Sequence, residues 1–242
     1  MLCQISGTMK TILMLEADNM KKVITFSLWG DDKKYTIGAI ENARLAQEHY
    51  PGWVCRYYLG KSVPEDIVKQ LDDFQNTEIV LMDEDGDWTG MFWRFYAASD
   101  PDVSIMISRD CDSRLGNRER MAVEEWEHSN KSFHIMRDHP HHGTEILGGM
   151  WGCKKPLLSN MVSLIEDYKR IGNFWQVDQN FLRESIYPVV SQDSMVHDEF
   201  FQKRPFPTER DGLEFVGQVY DKNNMPLEEH RASLREALRS LR

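Results

Sequence analysis

The sequence predicts an α/β fold with a mostly parallel central sheet and helices on both faces. Three observations support this class. Runs of β-branched and aromatic residues alternate with helical apolar spacing along the first half of the chain. The 242 residues, 41% of them hydrophobic, suit one large domain with a sizeable core. No internal repeat or low-complexity linker interrupts the chain, so we expect a single domain.

The elements of the first half follow from local patterns. "KKVITFSLWG" is a β-branched and aromatic run closed by Gly, and the segment after it places Ile37, Ile40 and Ala43 at helical spacing. Ser62 is the expected N-cap of the second helix, with Pro64 in the first turn. The predicted strands are 21–30, 53–60, 77–82 and 102–108, and the predicted helices are 36–50, 62–74 and 88–99.

The second half is predicted to hold helices at 117–129, 156–171 and 177–186 and strands at 132–137 and 145–152. We expect the folded domain to span 21–225, with 1–20 as an N-terminal appendage. The tail 226–242 carries a leucine face typical of an amphipathic helix. We expect this helix to pack on its own chain, and packing on a second copy in a homo-oligomer is the alternative.

Composition excludes several classes of protein. The net charge of −10, with no run of five basic residues, argues against non-specific nucleic-acid binding. The four cysteines are far apart and form no CxxC pair, which is typical of reduced thiols. No apolar stretch approaches the roughly 20 residues that span a bilayer, and the N-terminus lacks a signal-peptide cleavage site. We therefore expect no transmembrane segment and a cytoplasmic location.

The stretch "SIMISRDCDSRL" combines a buried strand with two carboxylates at its end. Asp110 and Asp112 are two residues apart, so in extended chain they point to the same side. In open α/β sheets ligands bind at the carboxyl ends of the strands. Mg²⁺ and Mn²⁺ take oxygen ligands from one or two carboxylates plus substrate phosphates. The pair therefore indicates a metal–diphosphate site, and a solvated loop with salt bridges is the alternative.

The D-x-D pattern alone is weak, because it occurs four times in the chain. The other three lie within "DEDGDW" and "SDPDV", which are typical of turns. Arg94 lies among aromatic residues in "MFWRF", and a buried arginine needs an anionic partner. That partner is either the Asp110/Asp112 pair, a donor phosphate or an ordinary structural ion pair.

Further candidates lie later in the chain. Gly148-Gly149 before Trp151 allows close approach of backbone to a sugar ring, or else forms a bulge or tight turn. Asp178 starts a predicted helix, as an N-cap or as a carboxylate that faces the ligand. His197, beside Asp198, is a third candidate metal ligand because Mn²⁺ accepts imidazole. Four histidines cluster at 134–142 without the spacing of a known zinc motif.

The chain resembles a family of GT-A-type glycosyltransferases of large DNA viruses and bacteria. The resemblance runs from residue 22 to residue 218 through "ITFSLWGDDKKY", "MFWRF", "SRDCDSR", "FHIMRDHPHH", "ILGGMWGCK", "DQNFL", "HDEF" and "FVGQ". It implies a GT-A-like single domain, a nucleotide-sugar donor that is expected to be UDP-linked, a glycan or other hydroxyl acceptor, and Mn²⁺ or Mg²⁺ held by the D-x-D pair.

The resemblance also implies roles for single residues. Asp110, Asp112 and His197 are the expected metal ligands, and Asp178 is the candidate base if the reaction inverts the anomeric centre. If the reaction retains it, Asp178 binds the sugar instead. The expected nucleotide-binding residues are Ser27, Leu28, Trp29, Tyr35, Arg94 and Asp110. The expected sugar and acceptor residues are Arg94, Gly149, Trp151, Asp178 and Gln179.

Two other functions fit the same residues. A metal-dependent hydrolase of nucleotide sugars or phosphoesters could use the histidine-rich loop, with two metal ions about 3.5–4 Å apart. An inactive module could keep the pocket for nucleotide-sugar recognition alone. Product analysis with acceptor and with water separates the transferase from the hydrolase.

Overall fold

The computed structural model of the protein describes residues 20–154, 158–170, 172 and 176–240. The expected N-terminal appendage therefore lies outside the described residues, apart from Met20. Within the described part, seven strands form one sheet. The strands are β1 (Lys21–Leu28), β2 (Val54–Leu59), β3 (Thr77–Leu81), β4 (Val103–Ser108), β5 (Phe133–Arg137), β6 (Trp151–Lys154) and β7 (Ser194–Asp198).

Helices connect the strands and cover the sheet. They are α1 (Lys33–His49), α2 (Glu65–Asp72), α3 (Asn117–His128), α4 (Met161–Lys169), α5 (Val177–Phe181), α6 (Tyr187–Val190) and α7 (Glu228–Ser240). A 3-10 segment (Trp88–Ser99) precedes β4, a π turn (Leu182–Ile186) joins α5 to α6, and a 3-10 turn (Ser191–Asp193) precedes β7. No helix among the described residues is both long and apolar enough to cross a membrane.

The sheet is mostly parallel, as the sequence predicts. Its order is β3-β2-β1-β4-β6-β5-β7, and β6 alone runs antiparallel to both of its neighbours. The chain builds outward from β1 through β2 to β3 and then returns to place β4 on the other side of β1. This reversal is a topological switch point, where the connections leave the sheet on opposite faces and open a cleft at the carboxyl ends.

Alternation along the central strands fills a core on each face of the sheet. Val23 of β1 packs into one core, while Ile24 and Phe26 pack into the other. Met106 and Ile107 of β4 divide in the same way. Because both faces are covered, these strands are continuous apolar runs, which is usual for buried parallel strands.

Three local predictions need correction. The strand predicted at 145–152 is instead β6 at Trp151–Lys154, and the residues before it form turns. The segment predicted as a helix at 88–99 is 3-10 throughout. Ser62 does not cap α2, because its hydroxyl bonds the Gly30 N–H and the Asp85 carbonyl, and the helix begins at Glu65 after Pro64.

The structure adds one strand that was not predicted and contains the expected C-terminal helix. Strand β7 was not predicted, and it pairs in parallel with β5. Helix α7 matches the predicted C-terminal helix and packs on its own chain, since Leu234 is fully buried and the His230 carbonyl accepts a hydrogen bond from Nε2 of His139.

Candidate functional site

The site lies at the switch point between β1 and β4. Ser27 is near the end of β1, and Asp110 follows β4 by two residues. The backbone N–H of Arg109 donates to the Thr25 carbonyl at 3.0 Å, so the two strand ends stay together past the last residue of β4. Cys111 Sγ donates to the Ser27 carbonyl at 3.3 Å. The loop that carries both carboxylates is thereby fixed over the end of β1.

Arg94 joins two carboxylates in the centre of the site. Its Nη1 lies 2.5 Å from Oδ1 of Asp110, and its Nη2 lies 2.9 Å from Oδ2 of Asp178. The backbone N–H of Arg94 donates to the Ser27 hydroxyl at 3.0 Å, which fixes the 3-10 segment against β1. Burial alone would lower the pKa of Arg94, but Asp110 and Asp178 hold it above its ordinary value. The guanidinium is therefore a permanent cation inside the cleft.

Asp112 lies beside Asp110 and is paired with Lys34. Nζ of Lys34 is 2.7 Å from Oδ2 of Asp112 and 5.0 Å from the ring centroid of Tyr35. Burial and the charge of Asp110 raise the pKa of Asp112, while Lys34 and Arg94 oppose that rise. The effect of Asp110 on this pKa indicates two like charges near each other. They lie in a turn, in which the Ser113 N–H donates to the Asp110 carbonyl at 3.3 Å, and not in the extended chain that the sequence analysis assumed.

The Gly148-Gly149 pair makes room for this cluster. A Cβ added to Gly149 would lie far inside contact distance of Oδ2 of Asp110, and one added to Gly148 would lie 2.5 Å from Nη2 of Arg94. The Gly148 carbonyl accepts a hydrogen bond from the Ser108 hydroxyl at 2.7 Å, which holds the pair against the end of β4. Neither residue belongs to β6, so the pair is not a strand bulge but the tight turn given as an alternative, closed by the Met150 N–H on the Leu147 carbonyl at 3.1 Å. The turn is also a close approach, to Asp110 and Arg94.

Trp29, one of the expected nucleotide-binding residues, is half-buried against two glycines. The indole of Trp29 packs on Gly86 and Gly90, where an added Cβ would clash with it, and lies edge-on to Trp93 at 6.0 Å between ring centroids. These glycines let the 3-10 segment and the loop before it close over the indole. Among the other expected nucleotide residues, Ser27 is buried and bonded to Arg94, Tyr35 is 39% exposed, and Leu28 packs its side chain into the core.

The structure does not bring Trp151 or His197 to this cluster. Trp151 is 1% exposed and packs edge-on to Phe95 at 5.6 Å, so its ring is part of the core. His197 lies on β7, three strand positions from β4, which is roughly 14 Å at the usual strand spacing. Its Nδ1 is 2.8 Å from Nε2 of His134, and its Nε2 is 3.2 Å from Oε2 of Glu125. Both ring nitrogens are thus engaged away from Asp110.

The residues at the site fit a hard divalent cation. Arg94 and Lys34 each engage one oxygen of an aspartate, and each of Asp110 and Asp112 keeps a second oxygen with no bonded partner among the described residues. Among those residues no three His, Cys, Asp or Glu side chains are grouped to hold a metal ion. A cation bound by this pair would therefore need phosphate or water oxygens for its remaining ligands, as Mg²⁺ commonly does.

No protein-family model and no curated protein matches the chain. Solved structures with a similar fold include glycosyltransferases and nucleotidyltransferases. One is a glycosyltransferase involved in glycosylation of the major capsid of PBCV-1, with 16% identity over 75% of this chain and 83% of that one and a TM-score of 0.49. Another is 4-diphosphocytidyl-2C-methyl-D-erythritol synthase of Anaerococcus prevotii, with 12% identity, 81% and 94% coverage and a TM-score of 0.49.

A third is the galactosyltransferase LgtC in complex with donor and acceptor sugar analogues, with 12% identity over 74% of each chain and a TM-score of 0.47. Likeness at this level concerns the fold alone. What the protein does must therefore be argued from its own side chains.

One residue of the cluster, Lys34, was missed by the sequence predictions. It stands one position before Tyr35, near the start of the helix that follows β1. In a sheet with this order, the segment after β1 lies at the same edge as the loop after β4. A basic residue at that point was the available signal, because the helix that follows β1 begins beside the loop that carries Asp112.

Proposed function

We propose that the protein is a metal-dependent glycosyltransferase that moves a sugar from a nucleotide-sugar donor, UDP-linked, to a hydroxyl of a glycan acceptor. The observation that carries the proposal is the cluster of Asp110, Asp112, Arg94 and Asp178 at the switch point of the sheet. It combines a carboxylate pair for a cation with a buried guanidinium that can meet sugar or phosphate oxygens. The order of sequence segments from 22 to 218 supports the same function.

In the proposed reaction the bond between the anomeric carbon and the diphosphate oxygen breaks, and a bond to the acceptor oxygen forms. The nucleoside diphosphate departs with the bonding electron pair and its negative charge, and one of its oxygens accepts the proton that the acceptor hydroxyl loses. Arg94 and Lys34 are the protein cations near that charge. Asp110 and Asp112 would hold Mn²⁺ or Mg²⁺, which supplies Lewis-acid neutralisation of the leaving group.

The surroundings of Asp178 favour a binding role over a base role. Its carboxylate is 5% exposed, accepts from Arg94, and also accepts backbone N–H groups at the start of α5. A base near the acceptor needs a free lone pair within reach of the hydroxyl proton. We therefore propose that Asp178 fixes Arg94 and contacts the donor sugar, which is the role expected of it if the anomeric configuration is retained.

Isothermal titration of UDP in the presence and absence of Mn²⁺ tests this proposal. We expect metal-dependent binding in the wild type and loss of that dependence in Asp112→Asn, which is nearly isosteric and removes one anionic ligand. Asp102→Asn, in an exposed turn with the same D-x-D pattern, is the matched control and should bind like the wild type. Absence of UDP binding in the wild type would refute the proposal, and unchanged binding in Asp112→Asn would refute the metal assignment.

Substrate turnover then separates the transferase from the hydrolase. Incubation of a UDP-sugar with acceptor and with water alone, followed by product analysis, should give a glycosylated acceptor. Free sugar as the main product at saturating acceptor would favour the hydrolase instead.

A further inference from the structure

A cavity of about 490 Å³ is lined by residues outside the cluster of Arg94, Asp110, Asp112 and Asp178. Its volume lies in the range of small-ligand sites. Four histidines and two glutamines supply most of its polar groups: His139, His141, His142, His230, Gln176 and Gln179.

The lining of this cavity contains no acidic residue and no lysine or arginine. None of its twelve lining residues is Asp, Glu, Lys or Arg, although these make up 28% of the chain. The other large cavity, of about 440 Å³, is lined by nineteen residues of which eight are of these types. Burial lowers the pKa of His139 to about 4 and that of His142 well below its ordinary value, so both rings are neutral at pH 7.

The hydrogen bonds assign different tasks to the histidines. Nδ1 of His139 accepts from the backbone N–H of His141 at 3.1 Å, and Nε2 of His139 is 2.9 Å from the His230 carbonyl. His139 thus uses both nitrogens to join the loop to α7. Nδ1 of His142 accepts from the Asp138 N–H at 3.1 Å, so its proton lies on Nε2. That N–H, and both nitrogens of the exposed His141, have no bonded partner among the described residues.

Three parts of the wall adjoin the catalytic cluster. Gln179 follows Asp178 directly, and Leu147 precedes Gly148, which lies against both Arg94 and Asp178. Val219, also in the wall, precedes Tyr220, whose backbone N–H donates to the Asp112 carbonyl at 2.8 Å. A molecule in this cavity therefore lies beside the sugar end of the proposed donor site.

We propose that this cavity is the acceptor site of the transferase proposed above and that its ligand is an uncharged saccharide. Hydroxyl groups of a neutral sugar can pair with imidazole nitrogens and side-chain amides that both donate and accept. A charged acceptor would bury its charge without a counter-ion, which is costly. Because His230 lies on α7, the C-terminal helix contributes to the selection of the acceptor.

Saturation-transfer NMR on the full chain with UDP and Mg²⁺ tests this site directly. The probes are methyl β-galactoside, methyl β-glucoside and methyl α-mannoside, with methyl β-glucuronide as the charged counterpart. We expect at least one neutral glycoside to bind and the glucuronide not to bind. His141→Leu and Gln179→Leu should each weaken that binding roughly 3- to 10-fold, the equivalent of about one hydrogen bond.

Two control variants test whether an effect on glycoside binding is specific to the cavity. His128→Leu and Gln70→Leu change the same residue types at exposed sites outside the cavity and should leave glycoside binding unchanged. The inference rests on the proposed function, and UDP titration of the same samples separates the two. If UDP fails to bind the wild type, the proposed function is wrong. If UDP binds but no neutral glycoside does, or the cavity variants keep full glycoside affinity, the acceptor site is wrong.

Discussion

Nη2 of Arg94 lies 2.9 Å from Oδ2 of Asp178, and both side chains are at most 9% exposed. This pair ties the 3-10 segment before β4 to helix α5, two elements far apart in sequence. Because the other end of the guanidinium meets Asp110, the same arginine fixes the carboxylate at the end of β4. The ion pair therefore supports the fold and the site at once.

Replacement of Arg94 by Ala should be strongly destabilising. It leaves Asp178 buried without its counter-ion, and breaking a buried pair typically costs about 3–5 kcal/mol. Urea unfolding at pH 7 measures the loss. Arg44→Ala removes an arginine from an exposed i, i+3 pair with Glu41 and should cost no more than about 1 kcal/mol. Equal losses for the two variants would mean that Arg94 contributes no more than a surface ion pair.

The close contact between Gly149 and Asp110 predicts that one added methyl group weakens UDP binding. In Gly149→Ala the new Cβ must displace Asp110, so metal-dependent UDP affinity should fall by at least about tenfold. Gly116→Ala is the matched control, because a Cβ there meets nothing within 4 Å and its φ of −154° is open to any residue. Titration of UDP with Mn²⁺ against both variants gives the comparison. Wild-type affinity in Gly149→Ala would show that Asp110 tolerates displacement.

Local patterns were sufficient to predict much of the fold. The buried strands around β1 are long apolar runs with helical spacing between them, and the order of these segments implies a parallel sheet. Strand β7 was not predictable in the same way, because "SMVHD" is polar at three of its five positions and gains its place from pairing with β5. The 3-10 form of 88–99 likewise depends on tertiary packing, since Gly90 must fit under Trp29.

The sequence predicted those residues of the candidate site that a short local pattern identifies. The i, i+2 spacing after β4 identified Asp110 and Asp112, and the demand of a buried arginine for anions identified Arg94. The sequence does not show in which direction the side chain of Trp151 points, and in the structure it packs inward from β6. The position of His197 depended on the strand order, which no local pattern specifies.

Stability should decline as pH falls below the ordinary histidine range. Burial, with the neighbouring His197, holds the pKa of fully buried His134 well below its ordinary value of 6.5. As pH falls below about 6.5, the unfolded chain therefore binds a proton that the folded chain does not, and the free energy of unfolding falls. Above this range both states are neutral there, and the contribution to pH dependence vanishes. Urea unfolding at pH 7.5, 6.5 and 5.5 measures the slope.

His134→Gln tests the source of that slope. It should reduce the slope between pH 6.5 and 5.5 by the share of one histidine, because His139 and His142 also have depressed pKa values and keep their own shares. His128→Gln, at an exposed position on α3, should keep the wild-type slope. If both variants retain the full slope, the pH dependence arises from other groups.

Asp178→Asn distinguishes a positioning role from a general base. Burial raises the pKa of Asp178, the charge of Arg94 opposes the rise, and backbone N–H groups at the start of α5 also engage its carboxylate. Because Arg94 already engages the carboxylate, we expect Asn to keep the contact with Arg94 but to lower turnover by up to about 10²-fold through misplacement. UDP affinity with Mn²⁺ should persist, since Asp110 and Asp112 are intact.

The deciding measurement is the pH profile of transfer to the glycoside that binds in the NMR experiment. A positioning residue leaves the acid limb of that profile in place, whereas removal of a base abolishes the limb and costs about 10²–10⁴-fold. Loss of the limb would restore Asp178 as the base and favour an inverting reaction.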